Sequence, residues 1–215
     1  MSHLADREVS RVAKSRSGGR RFDRNYGVTT HAVLWISDLD PDTAGDAAAH
    51  ATHYEAVPVE DFRALLALVP KEAVTQATFV DVGAGMGRAM ILAAEHPFKQ
   101  VVGIEVSPAL YEVAKENLSS PRMRDVRCRD IRLERADARI AHYPPGDLVV
   151  FLFNPFDADA LRATLSCITH RHNAGDTWLL YHTPVERAVV DALLEWKLVA
   201  ELPCGVAYRA NEAAR

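Results

Sequence analysis

Cysteine is scarce in this sequence: Cys128, Cys167 and Cys204 are the only three in 215 residues. An odd number at wide spacing argues against a disulfide framework and fits a reduced, cytoplasmic protein. No Cys-x-x-Cys pair occurs, so a cysteine-based zinc site is not expected and no metal site is assigned. Also missing is any run of about 18 or more apolar residues, the length a membrane-spanning helix needs, so no membrane partner is expected. The first thirty residues lack the apolar stretch of a secretory signal. Neither a Gly-x-Ser-x-Gly elbow nor a Walker phosphate loop is present. What remains, at 48% hydrophobic residues, is ample material for one buried core.

The net charge of −4 conceals a split: residues 1–30 carry +4 and the remaining 185 carry −8. Residues 1–24 are rich in Arg, Ser and Gly without a sustained period, and read as a mobile basic arm with one short helix near 3–14. Such an arm is either a solvated tail or a weak electrostatic contact for nucleic acid or an acidic partner. Residues 25–57 fit strand or helix equally, and Pro41 and Gly45 mark a loop over 38–46. Phe62, Leu65, Leu66 and Val69 recur at helical spacing, which predicts a helix over 59–69 ended by Pro70.

From residue 78 the pattern is regular. Strands are predicted at 78–82, 100–106, 131–135, 148–153, 177–182, 197–202 and 206–209, with helical periods between the first five and before the sixth. The run 148–153 is apolar without alternation, as expected of a strand covered on both faces. Only Pro203-Cys204-Gly205 joins the last two strands, too short for a parallel crossover, so they form an antiparallel hairpin. The expected fold is α/β: a doubly wound, seven-stranded, mostly parallel sheet, Rossmann-like, with that hairpin at its C-terminal end.

Asp81-Val82-Gly83-Ala84-Gly85-Met86-Gly87 sets glycines between the first core strand and its helix. Gly83 can turn the chain, Gly85 lets a ligand lie on bare backbone, and Gly87 permits close helix–strand packing. The dinucleotide fingerprint is Gly-x-Gly-x-x-Gly, whereas here the third glycine comes one residue early. Glu105 closes the second strand, where a carboxylate can accept from a ribose diol, and Asp137 follows the third, where it can accept from an adenine amino group. Acids at three strand ends suit a ligand with adenosine and a cationic centre but no phosphate, which describes S-adenosylmethionine.

These residues resemble the cofactor motifs of class I S-adenosylmethionine-dependent methyltransferases, over about residues 58–210. The resemblance implies that Gly83, Ala84, Gly85 and Gly87, with Asp81, line the methionine and ribose region. It likewise implies that Glu105 binds the ribose hydroxyls and Asp137 the adenine side. A bacterial subgroup of that family is similar in Tyr26-Gly27-Val28, Tyr54-Glu55-Ala56-Val57-Pro58 and Leu152-Phe153-Asn154-Pro155-Phe156. On that basis 25–77 is a prelude covering the cofactor site and 78–215 the methyltransferase core.

The end of the fourth core strand faces the ligand crevice of an open α/β sheet. There Asn154 can accept from an amine N–H, Pro155 stiffens the loop and Phe156 offers an apolar wall. The motif resembles, with one proline fewer, the Asn/Asp-Pro-Pro-aromatic motif of amine methyltransferases acting on adenine or glutamine. It also resembles, more loosely, the Asn-containing strand end of non-SET lysine methyltransferases. The plainer alternative is that Asn154 caps the following helix, expected over 157–168. Tyr54 and Glu55 are candidates to close over the cofactor or to take a proton; Tyr54 as a core residue is the alternative. Of the histidines, His182 follows the fifth strand near the crevice and is the one to test. Cys167, His170 and His172 lack a fourth metal ligand, and Tyr111 with Lys115 shares a helix face away from the crevice. The sequence therefore reads as a methyltransferase acting on an amine nitrogen, with a protein or small-molecule amine as the unidentified acceptor. A nicotinamide oxidoreductase and a non-catalytic cofactor- or RNA-binding module are the alternatives.

Overall fold

The computed structural model describes residues 19–35, 53–153 and 156–210. A helix over 19–26 (α1) opens it, followed by a two-stranded antiparallel ribbon of β1 (Val33–Trp35) and β2 (His53–Glu55), which pairs Leu34 with Tyr54. The helices α2 (Val59–Leu66) and α3 (Lys71–Gln76) lead into β3 (Thr78–Val82). Then come α4 (Arg88–Ala94), β4 (Gln100–Glu105), α5 (Pro108–Leu118), a 3-10 turn at Pro121–Asp125 and β5 (Ile131–Arg135). The second half runs β6 (Gly146–Phe153), α6 (Ala158–Thr169), β7 (Ala174–His182), α7 (Arg187–Asp191), β8 (Lys197–Leu202) and β9 (Gly205–Ala210).

The large sheet has seven strands in the order β5-β4-β3-β6-β7-β9-β8. Strands β3 to β7 are parallel, while β9 runs antiparallel to both β7 and β8. The chain winds outward from β3 to β5 and then returns to β6 on the other side of β3. The crevice of such a sheet lies at the strands' C-terminal ends, where the winding reverses.

Alternation along the strands sorts the core into two layers. Phe79, Val149 and Phe151 face Phe62 of α2 and Met90 of α4, whereas Val80, Val82, Val150 and Leu152 face Leu161, Leu165 and Ile168 of α6. Phe62 meets Phe79 and Phe151 edge-on, with ring centroids 5.8 and 5.3 Å apart. Burial on both faces explains why residues 148–152 read as an unbroken apolar run.

The structure departs from expectation in the N-terminal third. Residues 19–24, expected within the mobile arm, are helical, and Phe22 is buried. The helix expected over 59–69 ends at Leu66; Val69 stays buried in the turn that follows, and Pro70 stands at the N-cap of α3, a helix the pattern did not suggest. Proline is tolerated at a helix start because the N–H it lacks has no partner there. The helix expected over 3–14 and the loop over 38–46 lie outside the described residues.

Candidate cofactor site and acceptor crevice

Residues 83–87 connect β3 to α4, and all three glycines take left-handed backbone: φ is 76° at Gly83, 55° at Gly85 and 86° at Gly87. The turn is pinned by Gly83 N–H and Ala84 N–H, which both donate to Ile104 O at 2.9 and 3.0 Å. At Gly87 space is not the constraint, since a Cβ would sit 3.5 Å from that of Ala114. Its positive φ is what requires glycine. Gly103 of β4 answers the packing demand instead: a Cβ there would lie 2.3 Å from Met90 Sδ.

Glu105 is buried at the end of β4, and each carboxylate oxygen accepts one backbone N–H. Oε2 takes Gly85 N–H and Oε1 takes Ser107 N–H, both at 2.7 Å. Burial raises its pKa, while the backbone donors, Ser107 first, pull the other way. Asp81 lies in β3 on the strand next to Glu105, and only 3% of it is exposed. Burial, then the charge of Glu105, hold its carboxyl well above the usual range. No hydrogen-bond donor among the described residues reaches Asp81. Asp137, two residues beyond β5, is clamped by Arg139, whose Nε and terminal nitrogen donate to Asp137 Oδ2 at 2.9 and 2.7 Å. Its oxygens are thus already engaged by a neighbouring cation.

The residues preceding β3 form one wall of this loop. The Tyr54 ring lies where a side chain on Gly85 would stand, with Cε2 and Cδ2 at 2.3 and 2.4 Å from an ideal Cβ. The bare backbone anticipated for a ligand at Gly85 is therefore faced by an aromatic ring. Tyr54 Oη donates to Thr30 O at 2.7 Å, and burial pushes its phenol above the ordinary value. Its hydroxyl is thus engaged as a donor to backbone while the ring forms one wall of the loop.

Sequence reasoning missed the residues that hold the wall. Arg88 starts α4 and is buried. Its Nε donates to Thr30 Oγ1 at 2.7 Å, and its terminal nitrogens reach Val57 O and Asp23 Oδ1, each at 3.3 Å. Asp23 also accepts from Thr30 N–H and His31 N–H at 2.9 Å each and from Thr30 Oγ1 at 2.6 Å. The only available signal was Asp23 itself, the one acid among six cations between residues 11 and 24.

At the end of β6, Asn154 and Pro155 lie outside the described residues. Phe156 is partly buried against the α6-side core. The cap of α6 is Asp157, whose Oδ1 accepts from Ala160 N–H at 2.9 Å. The helix start is thus accounted for without Asn154. His182 ends β7 beside Phe153 and its Nε2 lies 3.1 Å from Asp61 Oδ2 of α2. Among the described residues no three His, Cys, Asp or Glu side chains converge as metal ligands, and no helix is long and apolar enough to cross a membrane.

A methyltransferase-domain family matches residues 79–173, the span from β3 to just before β7. No curated protein matches the sequence significantly. Among solved structures, yhhF of Escherichia coli, provisionally described as a methyltransferase, is similar with a TM-score of 0.58 at 18% identity. That match covers 71% of this chain and 86% of the other. N-methyltransferase NodS of Bradyrhizobium japonicum is similar at 0.53 and 16% identity, covering 71% and 96%. A ribosomal protein L11 methylase of Lactobacillus delbrueckii is similar at 0.52 and 17%, covering 81% and 84%. At these identities the likeness is one of fold. Residues 79–173 thus match a methyltransferase-domain family, and the seven-stranded sheet has the fold of the methyltransferase structures it resembles.

Proposed function

We propose that this protein is an S-adenosylmethionine-dependent methyltransferase that transfers its methyl group to an amine nitrogen, on a protein lysine or another amine. The observation that carries the cofactor part of the reading is the buried Asp81 carboxyl, which no described donor reaches, beside Glu105 at the mouth of the glycine loop. A cationic ligand without phosphate would satisfy it, and S-adenosylmethionine fits that requirement. Gly83, Ala84, Gly85 and Gly87 would border the methionine and ribose. Glu105 oxygens, each with one backbone bond, retain acceptor capacity for the ribose hydroxyls. Asp137, oriented by Arg139, would take the adenine side.

When bound, the cofactor supplies an electrophilic methyl on a positively charged sulfur. Alignment and exclusion of water then carry most of the catalysis. Tyr54 would close over the cofactor. Asn154, not needed for the α6 cap, would accept from the amine and point its lone pair at the methyl, with Pro155 and Phe156 shaping the acceptor crevice. The net +4 of residues 1–30 suits weak contact with nucleic acid.

The test is calorimetry with S-adenosylmethionine and NAD side by side, then transfer of labelled methyl into a cell lysate. Glu105→Ala should abolish cofactor binding; wild-type affinity in that variant would sink the ribose assignment. Asn154→Ala should bind cofactor yet lose transfer. Label recovered on oxygen or carbon, or binding of NAD instead, would refute the amine reading. Label in RNA would place the acceptor nitrogen there.

A further inference from the structure

The C-terminal ends of β6 and β7 carry a second polar constellation, separate from the glycine loop. Phe153 and His182 are register partners, and their rings meet edge to face with centroids 4.3 Å apart. His182 is 3% exposed, and both its ring nitrogens are engaged. Nε2 is 3.1 Å from Asp61 Oδ2 and Nδ1 is 3.1 Å from Thr183 Oγ1. With Asp61 ionised its oxygen can only accept, which assigns the ring proton to Nε2. Nδ1 is then the acceptor for the Thr183 hydroxyl. Carboxylate, imidazole and hydroxyl stand in the order that lets a base draw a proton from an alcohol.

Thr183 is exposed, and its φ is 47°, although it is β-branched. L-residues of that shape avoid this region, and such strain persists only where the surroundings impose it, most often at functional sites. Here Thr183 N–H donates to Cys204 O at 3.0 Å and Val185 N–H to Thr183 O at 2.9 Å. Gly205 completes the clamp: a Cβ there would fall 2.4 Å from Tyr181 O and 3.0 Å from His182 Cα. The β8–β9 turn can therefore press against this corner only because residue 205 is glycine.

The geometry points to Thr183, His182 and Asp61 as the proton relay of the transfer reaction, with Thr183 touching the acceptor and the other two positioning and charging it. The assignment rests on the methyltransferase reading above. The acceptor nitrogen forms its bond to carbon with its own lone pair, as the carbon–sulfur bond breaks and its electrons stay on sulfur. The methylated nitrogen then gives a proton to Thr183 Oγ1 while the hydroxyl proton moves to His182 Nδ1. The resulting imidazolium is held by Asp61, and the balance needs no other reactant.

Thr183→Gly relieves the backbone while deleting the hydroxyl, so it separates catalysis from folding. Its melting temperature should equal or exceed that of the wild type, with unchanged calorimetric affinity for S-adenosylmethionine. Its labelled-methyl transfer into lysate should fall about 100-fold or more, the range of general-base loss. Thr183→Ser should retain most of the rate and His182→Gln should lose it. Wild-type transfer by Thr183→Gly, or an equal loss in Thr183→Ser, would overturn the relay. Imidazole nitrogen NMR of the wild-type protein gives an independent reading. A ring proton on Nε2 is expected, and protonation on Nδ1 alone refutes the relay whatever the transfer data. Failure of the wild type to bind S-adenosylmethionine would instead refute the methyltransferase reading, and the ring spectrum would still decide the hydrogen-bond order.

Discussion

Arg88→Met removes a guanidinium that joins α4 to three separate points of the preceding segment. The arginine side chain is 3% exposed and that of Asp23, its ionic partner, 16%. Breaking a buried pair by deleting one member costs about 3–5 kcal/mol, because the other charge is left uncompensated. Asp23 keeps three other donors, Thr30 N–H, His31 N–H and the Thr30 hydroxyl, and some water. The lower end applies, about 3 kcal/mol. For a chain of this length each kcal/mol shifts the melting temperature by about 2–4 °C, so Arg88→Met should melt about 6–12 °C below wild type. Arg88→Lys retains charge, but one ammonium cannot reproduce a fork spanning Thr30, Val57 and Asp23, and it should recover only part of the loss. Trypsin adds a local readout, because Arg20, Arg21 and Arg24 lie in or beside the helix that Asp23 helps dock. They should be cut faster in the methionine variant under native conditions. A melting temperature within about 1 °C of wild type, with unchanged cleavage, would refute the anchor. So would a loss that is the same with Asp23 already replaced by Asn, since coupled residues must be non-additive.

Asp81→Asn should stabilise the ligand-free protein increasingly as pH rises. The folded-state pKa of Asp81 is raised by burial and then by Glu105. Above about pH 4, where an unfolded Asp loses its proton, the folded chain still holds one. Wild-type stability from this group is therefore present below that pH and is lost up to the raised folded value. Urea midpoints across that window should diverge, and parallel curves would remove Asp81 from the account. Gly85→Ala meets a left-handed φ of 55° and the Tyr54 ring at 2.3 Å. The backbone alone costs about 1–2 kcal/mol. If the ring contact adds to this, the penalty measured by chemical unfolding should shrink by more than about 0.5 kcal/mol in a Tyr54→Ala background; strict additivity would mean the ring yields freely.

The central sheet was legible because its inner strands are buried on both faces, and its edge strands, Ile131–Arg135 and Lys197–Leu202, though largely exposed, are short and bounded by turns. Three of them, Thr78–Val82, Ile131–Arg135 and Lys197–Leu202, have the bounds read from the sequence. The hairpin followed from chain length alone, since two residues between β8 and β9 cannot cross a sheet. What could not be read were contacts over long separations. Arg88 meets Thr30 and Asp23 across 58 and 65 positions, and nothing local marks an arginine as buried. Glu105 was legible as an acid at a strand end. Its bonds to Gly85 and Ser107 N–H were not, because they depend on a loop conformation that only assembly with β4 creates. The extension of the arm to residue 24 failed for a related reason: composition marks charge and flexibility, and one buried ring, Phe22, was enough to reverse it.

The glycine loop itself has little with which to hold its shape. Its side chains between Gly83 and Gly87 are one Ala and one Met, so its rigidity must come from outside. Besides the bonds of Gly83 and Ala84 N–H to Ile104 O, three side-chain ties supply it. Glu105 fixes Gly85 from the β4 side. Arg88 fixes the α4 end to Thr30. Asn117 of α5 bridges the two, its Nδ2 donating to Met86 O and Thr29 O at 2.9 Å each while its Oδ1 accepts from Thr29 N–H at 2.8 Å. Two of the three ties end on Thr29 or Thr30, and Tyr54 Oη ends on Thr30 as well. Residues 29–30 are therefore a junction through which the wall, the loop and two core helices are mutually fixed. A ligand that displaced Tyr54 from Gly85 would break or move a bond to that junction, and would thereby couple occupancy of the loop to the docking of the segment around Thr30.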